Sequence, residues 1–227
     1  MGDLDAGERP PLSRERIVAA AIAFVDRRGL TALTMRRLGT ELGVEAMSLY
    51  RYVAGRDDLL EGMVDQMVEQ LHLDPSGGRP GPGDGWQAYL QWLAHGVRSL
   101  VVEHPKVFPL IATHHPAAPW LRPPLRSLRW VESFLEGLEH FGFSGRDSVL
   151  IYRAFSTFLL GHLLLESATV DSMVESVEDD IEFFESNRLS DYPRVQALGP
   201  QLSEDGYANE FEDSLEDLIN RIQAFTE

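Results

Sequence analysis

The chain has 227 residues, 44% of them apolar and 25% charged, with no cysteine and a formal net charge of −16. That composition belongs to a globular protein with room for a sizeable core, and it excludes disulfide frameworks, thiolate zinc sites and cysteine nucleophiles. No run of about 18 uncharged apolar residues offers a membrane span, and Asp3, Asp5 and Glu8 stand where a secretory leader would need apolar residues, so a cytoplasmic protein with no membrane partner is expected.

The charge is unevenly placed. Residues 9 to 56 hold nine arginines against Glu15, Asp26, Glu41 and Glu45, whereas residues 160 to 227 hold seventeen acids against Arg188, Arg194 and Arg221. Evenly spread negative charge would repel nucleic acid, but a basic head on an acidic remainder predicts two separate tasks.

Ser13 is a candidate N-cap for a helix reaching Arg28, with Ile17, Ala20, Ala21, Phe24 and Val25 on one face and Gly29 as its stop. Thr34 opens a second helix, with Met35, Leu38 and Leu42 turned inward and Gly43 closing it; Val44 leads into a third, Glu45 to Tyr52. A longer helix followed by two of about two turns, joined by a tight glycine turn, describes a helix-turn-helix. The last helix of such a unit enters the DNA major groove, and its N-terminal side chains, here Glu45, Ala46, Met47 and Ser48, reach base edges. Tyr50, Arg51 and Tyr52 carry groups suited to phosphate oxygens, and Arg36 and Arg37 sit in the first turn of the supporting helix beside the same backbone. Arg56 starts the next helix, where free amides also favour a phosphate. Leu49 and Val53 read as core; Met47 and Tyr50 are open to a packing role as well.

The stretch LTMRRLGTELGVEAMSLYRYVAGRDDLLEGMVD has a G-V spacer, an S-L-Y-x-Y core and a basic residue before D-x-L. It resembles the DNA-binding domain of the tetracycline-repressor (TetR) family over residues 12 to 68. The resemblance implies that Thr34 and Arg36 contact backbone or bases, that Glu45, Ala46 and Met47 face base edges, and that Ser48, Tyr50, Tyr52 and Arg56 hold phosphates. Many relatives carry histidine at the position of Tyr52 and lysine at that of Arg56, changes that keep a donor. Ala46 and Met47 replace polar readers of some relatives, which leaves the operator sequence open.

Residues 57 to 71 continue as a helix whose Leu59, Leu60, Met63, Val64, Met67, Val68 and Leu71 are spread widely enough to face two neighbours, so it is expected to serve two domains. Five glycines and three prolines in Asp74 to Gly85 make a loop, without the spacing of a phosphate cradle. Trp86, Leu90, Leu93, Val97, Leu100 and Val101 mark the next helix, broken at His104-Pro105, with Pro105 expected at the first position of a short helix to Ala112. After the turn THHPAAPW come helices from Leu125 to Phe141 and from Ser144 to Glu166, the latter apolar nearly all round. The last, Asn209 to Phe225, aligns Leu215, Leu218, Ile219, Ile222 and Phe225. Two apolar helices in need of cover point to a partner chain.

From Trp86 onward the order of elements, the H-P break, the G-F-S and the L-L-G-H-L-L-L-E core are similar to the tetracycline-repressor-like ligand and dimerisation domain. That implies an all-α protein with a three-helix DNA-binding domain at 12–58 and a helical effector-binding and dimerisation domain at 59–227. It also implies a homodimer on a four-helix bundle from the eighth and tenth helices, reading a palindromic double-stranded operator with two recognition helices about 34 Å apart. The implied output is repression released by a small-molecule effector. Walls of the effector cavity would come from Leu93, Val97, Ile111, Trp130, Phe134, Phe155 and Phe158, and polar contacts from His72, His114, His115, Tyr152 and Ser156; any one of the aromatics reads equally as core. His72 falls where tetracycline binders have a ligand-contacting histidine, but their metal-liganding histidine corresponds to an apolar residue near Ile111. Adjacent His114 and His115 project apart, so no metal and no cofactor is expected. No enzyme is expected either, since G-x-S-x-G and H-E-x-x-H are absent and the neighbours Glu103-His104 and Glu139-His140 do not face each other on a helix. The alternative is a helix-turn-helix regulator controlled by a protein partner docking on the acidic stretch Asp171 to Glu185, which also reads as a loop.

Overall fold

A computed structural model describes residues 11–73, 78, 80–81, 83–113, 127–175, 191–204 and 206–226, with the side chains of 71–73, 111–113, 169–175 and 225–226 outside the description. Among the described residues every regular element is a helix.

Helix α1, Arg14–Arg28, starts where Ser13 Oγ accepts from the Arg16 amide at 3.2 Å and buries Ile17, Val18, Ala21, Ile22, Phe24 and Val25. A 3-10 turn, Leu30–Ala32, leads to α2, Met35–Leu42, capped by Thr34 Oγ1 on the Arg37 amide at 3.2 Å. Gly43 ends α2 in the left-handed region, φ 70°, and sends the chain into α3, Ala46–Leu49. The helix expected over 45–52 is thus a single turn, continued by hydrogen-bonded turns to Val53. It stops where the Arg51 and Tyr52 amides turn to the carbonyls three residues back, Ser48 at 3.4 Å and Leu49 at 2.9 Å, and beyond it the Tyr52 carbonyl accepts from Arg14 Nη1 at 3.3 Å.

Helix α4, Arg56–Leu73, buries Leu59, Leu60, Met63, Val64, Met67 and Val68, packing on α1 at one end and on the helices that follow it in the chain at the other. It serves both halves of the chain, as its wide apolar face requires. Helix α5 is Gly85–Glu103 and α6 is Phe108–Thr113. Pro105 does not open α6. Residues 105–107 form a turn in which the Val107 and Phe108 amides return to the His104 carbonyl at 3.0 and 3.2 Å, so His104 launches α6. Helix α7, Leu128–His140, is capped by Ser127, whose Oγ accepts from the Trp130 amide.

Helix α8, Gly145–Glu175, is opened by Ser144 on the Asp147 amide and runs past the expected end at Glu166, since 167–175 hold neither Gly nor Pro to stop it. Its stretch Gly145–Ala168 is long and apolar enough to cross a membrane by length and composition. Packing against α5, α6, α7 and the C-terminal helix accounts for part of that character: Ile151, Tyr152, Phe155, Leu159 and Leu163 are buried. Helix α9, Pro193–Leu202, was not expected from the apolar pattern. Helix α10, Tyr207–Thr226, closes Phe211, Leu215, Leu218, Ile219 and Ile222 over α8, so its stripe is covered within the same chain. On α8, Val149, Leu150 and Leu165 stay exposed. Arg98 of α5 grips both oxygens of Glu166 on α8, with its guanidinium carbon 5.1 Å from the centre of the Phe211 ring.

Candidate nucleic-acid interface and effector pocket

The head presents one polar, positively charged edge. Met47 on α3 is 75% exposed, and Tyr50 and Tyr52 on the following turn are 46% and 40% exposed, a large cost for side chains of this kind unless a surface meets them. Thr34, Arg36, Arg37, Glu45, Arg51 and Arg56 are exposed around them, while Ala46 and Ser48 are half-buried. Leu49 and Val53 are buried, so the single turn of α3 has a core side and a free side. Two expected contacts already have partners in the fold: the Thr34 hydroxyl caps α2, and Arg37 Nη1 donates to the Ala32 carbonyl at 3.1 Å. Neither engagement buries the group.

Two residues that sequence reasoning missed fix this surface. Arg14 Nη1 and Nη2 donate to Asp58 Oδ2 and Oδ1 at 2.9 and 2.6 Å, and Asp58 Oδ2 also accepts from the Ala54 amide at 2.6 Å. The Arg14 hydrogen bond, then the Ala54 amide, hold the Asp58 carboxyl below the usual carboxylate range; the same bond to Asp58 raises Arg14. Asp58 in the first turn of α4 was the available signal, since a carboxylate there reaches back to a preceding amide. Glycine makes the helix-turn-helix compact. A Cβ on Gly39 would lie 2.9 Å from the Val44 carbonyl oxygen and 3.2 Å from the Ala46 nitrogen, so α2 and α3 touch backbone to backbone.

In the other half, Met67, Val68, Val97, Leu100, Phe108, Ser127, Trp130, Ser156, Leu159 and Leu160 surround a cavity of about 60 Å³. Three expected residues line it: Val97, Trp130 and Ser156. The other described candidates do not. Phe134 stacks on Phe155 at 5.3 Å between ring centres and meets Tyr152 edge-on at 5.9 Å, forming the core behind the wall; Leu93 is buried outside the lining; and Phe158 turns to Phe211, 5.3 Å away, on α10. Burial pushes the Tyr152 phenol up, partly offset by its hydrogen bond with Ser156. His114 and His115 lie outside the described residues, as do the side chains of His72 and Ile111 and most of the acidic stretch Asp171 to Glu185. Sequence reasoning missed Met67, Val68, Leu100, Phe108, Ser127, Leu159 and Leu160 as lining.

Residues 17–63 match the family described as bacterial regulatory proteins, tetR family, and residues 79–225 match the tetracyclin repressor-like C-terminal domain. The transcriptional repressor DrrR1 of Streptomyces coeruleorubidus is 41% identical over 100 residues, which span 44% of this chain and 35% of that protein. The class D tetracycline repressor of Escherichia coli is 30% identical over 153 residues, 67% of this chain and 66% of its own length. Among solved structures, a possible TetR family transcriptional regulator from Streptomyces coelicolor aligns with a TM-score of 0.71 at 27% identity, covering 94% of this chain and all of that one. ActR of the same organism, in complex with (S)-DNPA, shares the fold with a TM-score of 0.66 at 24% identity, covering 96% of this chain and all of its own. With a basic helix-turn-helix head at one end and the repressor-like helical domain over most of its length, this chain belongs to the TetR family of transcriptional regulators.

Proposed function

We propose that this chain is a homodimeric repressor, working in the cytoplasm, whose head at 12–58 holds a palindromic operator and whose domain at 59–227 releases it when a small molecule enters the cavity. One observation carries this reading: α4 has exposed Arg56 at the head and Met67 and Val68 in the cavity wall, so a single rigid helix touches both sites about 17 Å apart along its axis. Glu45, Ala46 and Met47 would face base edges, and Thr34, Arg36, Arg37, Ser48, Tyr50, Arg51, Tyr52 and Arg56 the backbone. Val97, Trp130 and Ser156 would meet the effector.

The cavity of about 60 Å³ is far smaller than the roughly 300–1,000 Å³ of ordinary ligand sites, so an effector must push the walls apart. That gives it a differential affinity for two conformers, which is what linkage requires. A coupling of about 1–3 kcal/mol would weaken operator binding roughly 5- to 150-fold. Exposed Val149, Leu150 and Leu165 on α8 favour a second copy as the cover. The repressor named DrrR1 supports repression as the output.

The test is selection of duplexes from a randomised pool by the full chain, followed by footprinting and sedimentation at micromolar concentration. Palindromes with half-sites one helical turn apart, bound by a two-copy species, are expected. A monomer that ignores every duplex at low salt, after dialysis to strip bound compounds, overturns the proposal.

A further inference from the structure

The cavity and the DNA head are also joined by a route that does not pass through α4. His104 Nδ1 donates to Asp26 Oδ2 on α1 at 2.8 Å, across 78 residues of sequence, with the side chains only 14% and 25% exposed. The backbone of His104 is the corner between α5 and α6: its amide closes on the Leu100 carbonyl at 2.8 Å, and its carbonyl accepts from Phe108 at 3.2 Å. Leu100 and Phe108 both stand in the cavity wall. On the head side, Arg27, next to Asp26, pairs with Glu41 of α2 at 2.5 Å, which ties this end of α1 to the supporting helix of the helix-turn-helix.

Asp26 Oδ1 is buried with no hydrogen-bond partner among the described residues. Stability alone does not explain a carboxylate taken from water with one oxygen unsatisfied, because an apolar side chain would fill such a junction as well or better. A directional bond does something an apolar contact does not: it is lost when the corner moves by an ångström, whereas apolar surfaces slide.

We propose that Asp26 and His104 are a positioning pair that carries displacement of Leu100 and Phe108 to α1, and through it to the recognition turn. The proposal rests on reading the cavity as the effector site. Its test uses Ser156→Leu, which adds volume inside the cavity in place of a ligand, and a duplex selected by the wild-type chain. In the wild-type background Ser156→Leu should weaken operator binding by roughly 5-fold or more. In His104→Ala, in Asp26→Ala and in the double variant that response should shrink, equally in all three, to roughly 2-fold, with α4 carrying the remainder, as expected of two partners in one interaction. His104→Asn, which keeps an N–H near the position of Nδ1, should restore it.

A full response in either single variant, or losses that add in the double variant, overturns the pairing. If Ser156→Leu has no effect in the wild type, the cavity reading fails, and the pair is then judged by hydrogen exchange. Cutting at His104 must raise exchange of the α1 amides around Asp26, and unchanged protection there overturns the proposal.

Discussion

Arg14 at the start of α1 and Asp58 in the first turn of α4 are joined through both oxygens of the carboxylate, and the turn carrying Tyr50 and Tyr52 is closed between them. Asp58 also caps the Ala54 amide, so one carboxylate fixes the entry to α4 and the exit from α3. Arg14→Ala or Asp58→Ala should destabilise the head by about 1–2 kcal/mol, the lower part of the range for charged hydrogen bonds because both side chains are partly exposed. Operator binding should fall more than stability does. Chemical denaturation beside a binding titration checks both.

The same pair gives the head an acid limb. Asp58 is held below its unfolded value of about 3.9, so the folded chain binds this proton less readily than the unfolded one. Its contribution is therefore fully present above the unfolded value and is lost as pH falls through the folded one. Asp58→Asn should be less stable at pH 7 but lose less on acidification, so the two stability curves converge below about pH 4. Parallel curves would remove Asp58 from the acid response.

Met47 and Leu49 separate function from fold within one turn. Met47 is 75% exposed and Leu49 fully buried. Met47→Ala should leave stability within about 0.5 kcal/mol while weakening operator binding, and Leu49→Ala should cost about 2–5 kcal/mol. Equal binding by Met47→Ala and the wild type would exclude Met47 from the interface.

Helices bounded by local chemistry were legible in the sequence. Ser13 and Gly29 bracket α1, Thr34 and Gly43 bracket α2, and the apolar spacing between them did the rest. Boundaries set by a change of backbone hydrogen-bond pattern were not: α3 gives way to three-residue turns after Leu49, and α6 starts from a turn off His104 rather than at Pro105. Helix α9 escaped because Val195, Leu198 and Leu202 are exposed and Gly199 and Pro200 sit inside it, so it has no burial signature. In the cavity, Phe134 and Phe155 have the same spacing whether they line a wall or stack on each other, and only the packed structure separates the two. Asp26 and His104 meet across a distance that no local pattern encodes.

Gly39 has no room for a methyl group. A Cβ there would press on the Val44 carbonyl and the Ala46 nitrogen, both backbone atoms that cannot rotate away. Gly39→Ala should move α3 relative to α2, costing about 1–3 kcal/mol and abolishing operator binding while helix content is retained. Circular dichroism with a gel shift distinguishes this from global unfolding. Wild-type affinity in Gly39→Ala would show that the turn yields without consequence.

Gly137 on α7 makes the corresponding close approach in the other domain, where a Cβ would fall on the Tyr89 hydroxyl and the ring carbon that bears it. Tyr89 is fixed from several sides: it is 1% exposed, its ring lies 5.6 Å from that of Phe141, and its hydroxyl donates to the Ser133 carbonyl at 3.3 Å. The ring therefore has nowhere to retreat, and α5 must separate from α7. Gly137→Ala should lower stability by about 3 kcal/mol, the upper end of ordinary overpacking. Tyr89→Phe removes the long hydrogen bond to the Ser133 carbonyl and should cost about 1 kcal/mol. Combining Gly137→Ala with Tyr89→Leu, which frees the space the methyl needs, should cost less than the sum of the two single changes. A strictly additive result in thermal or chemical denaturation would mean that the clash is relieved by α7 shifting along its own axis.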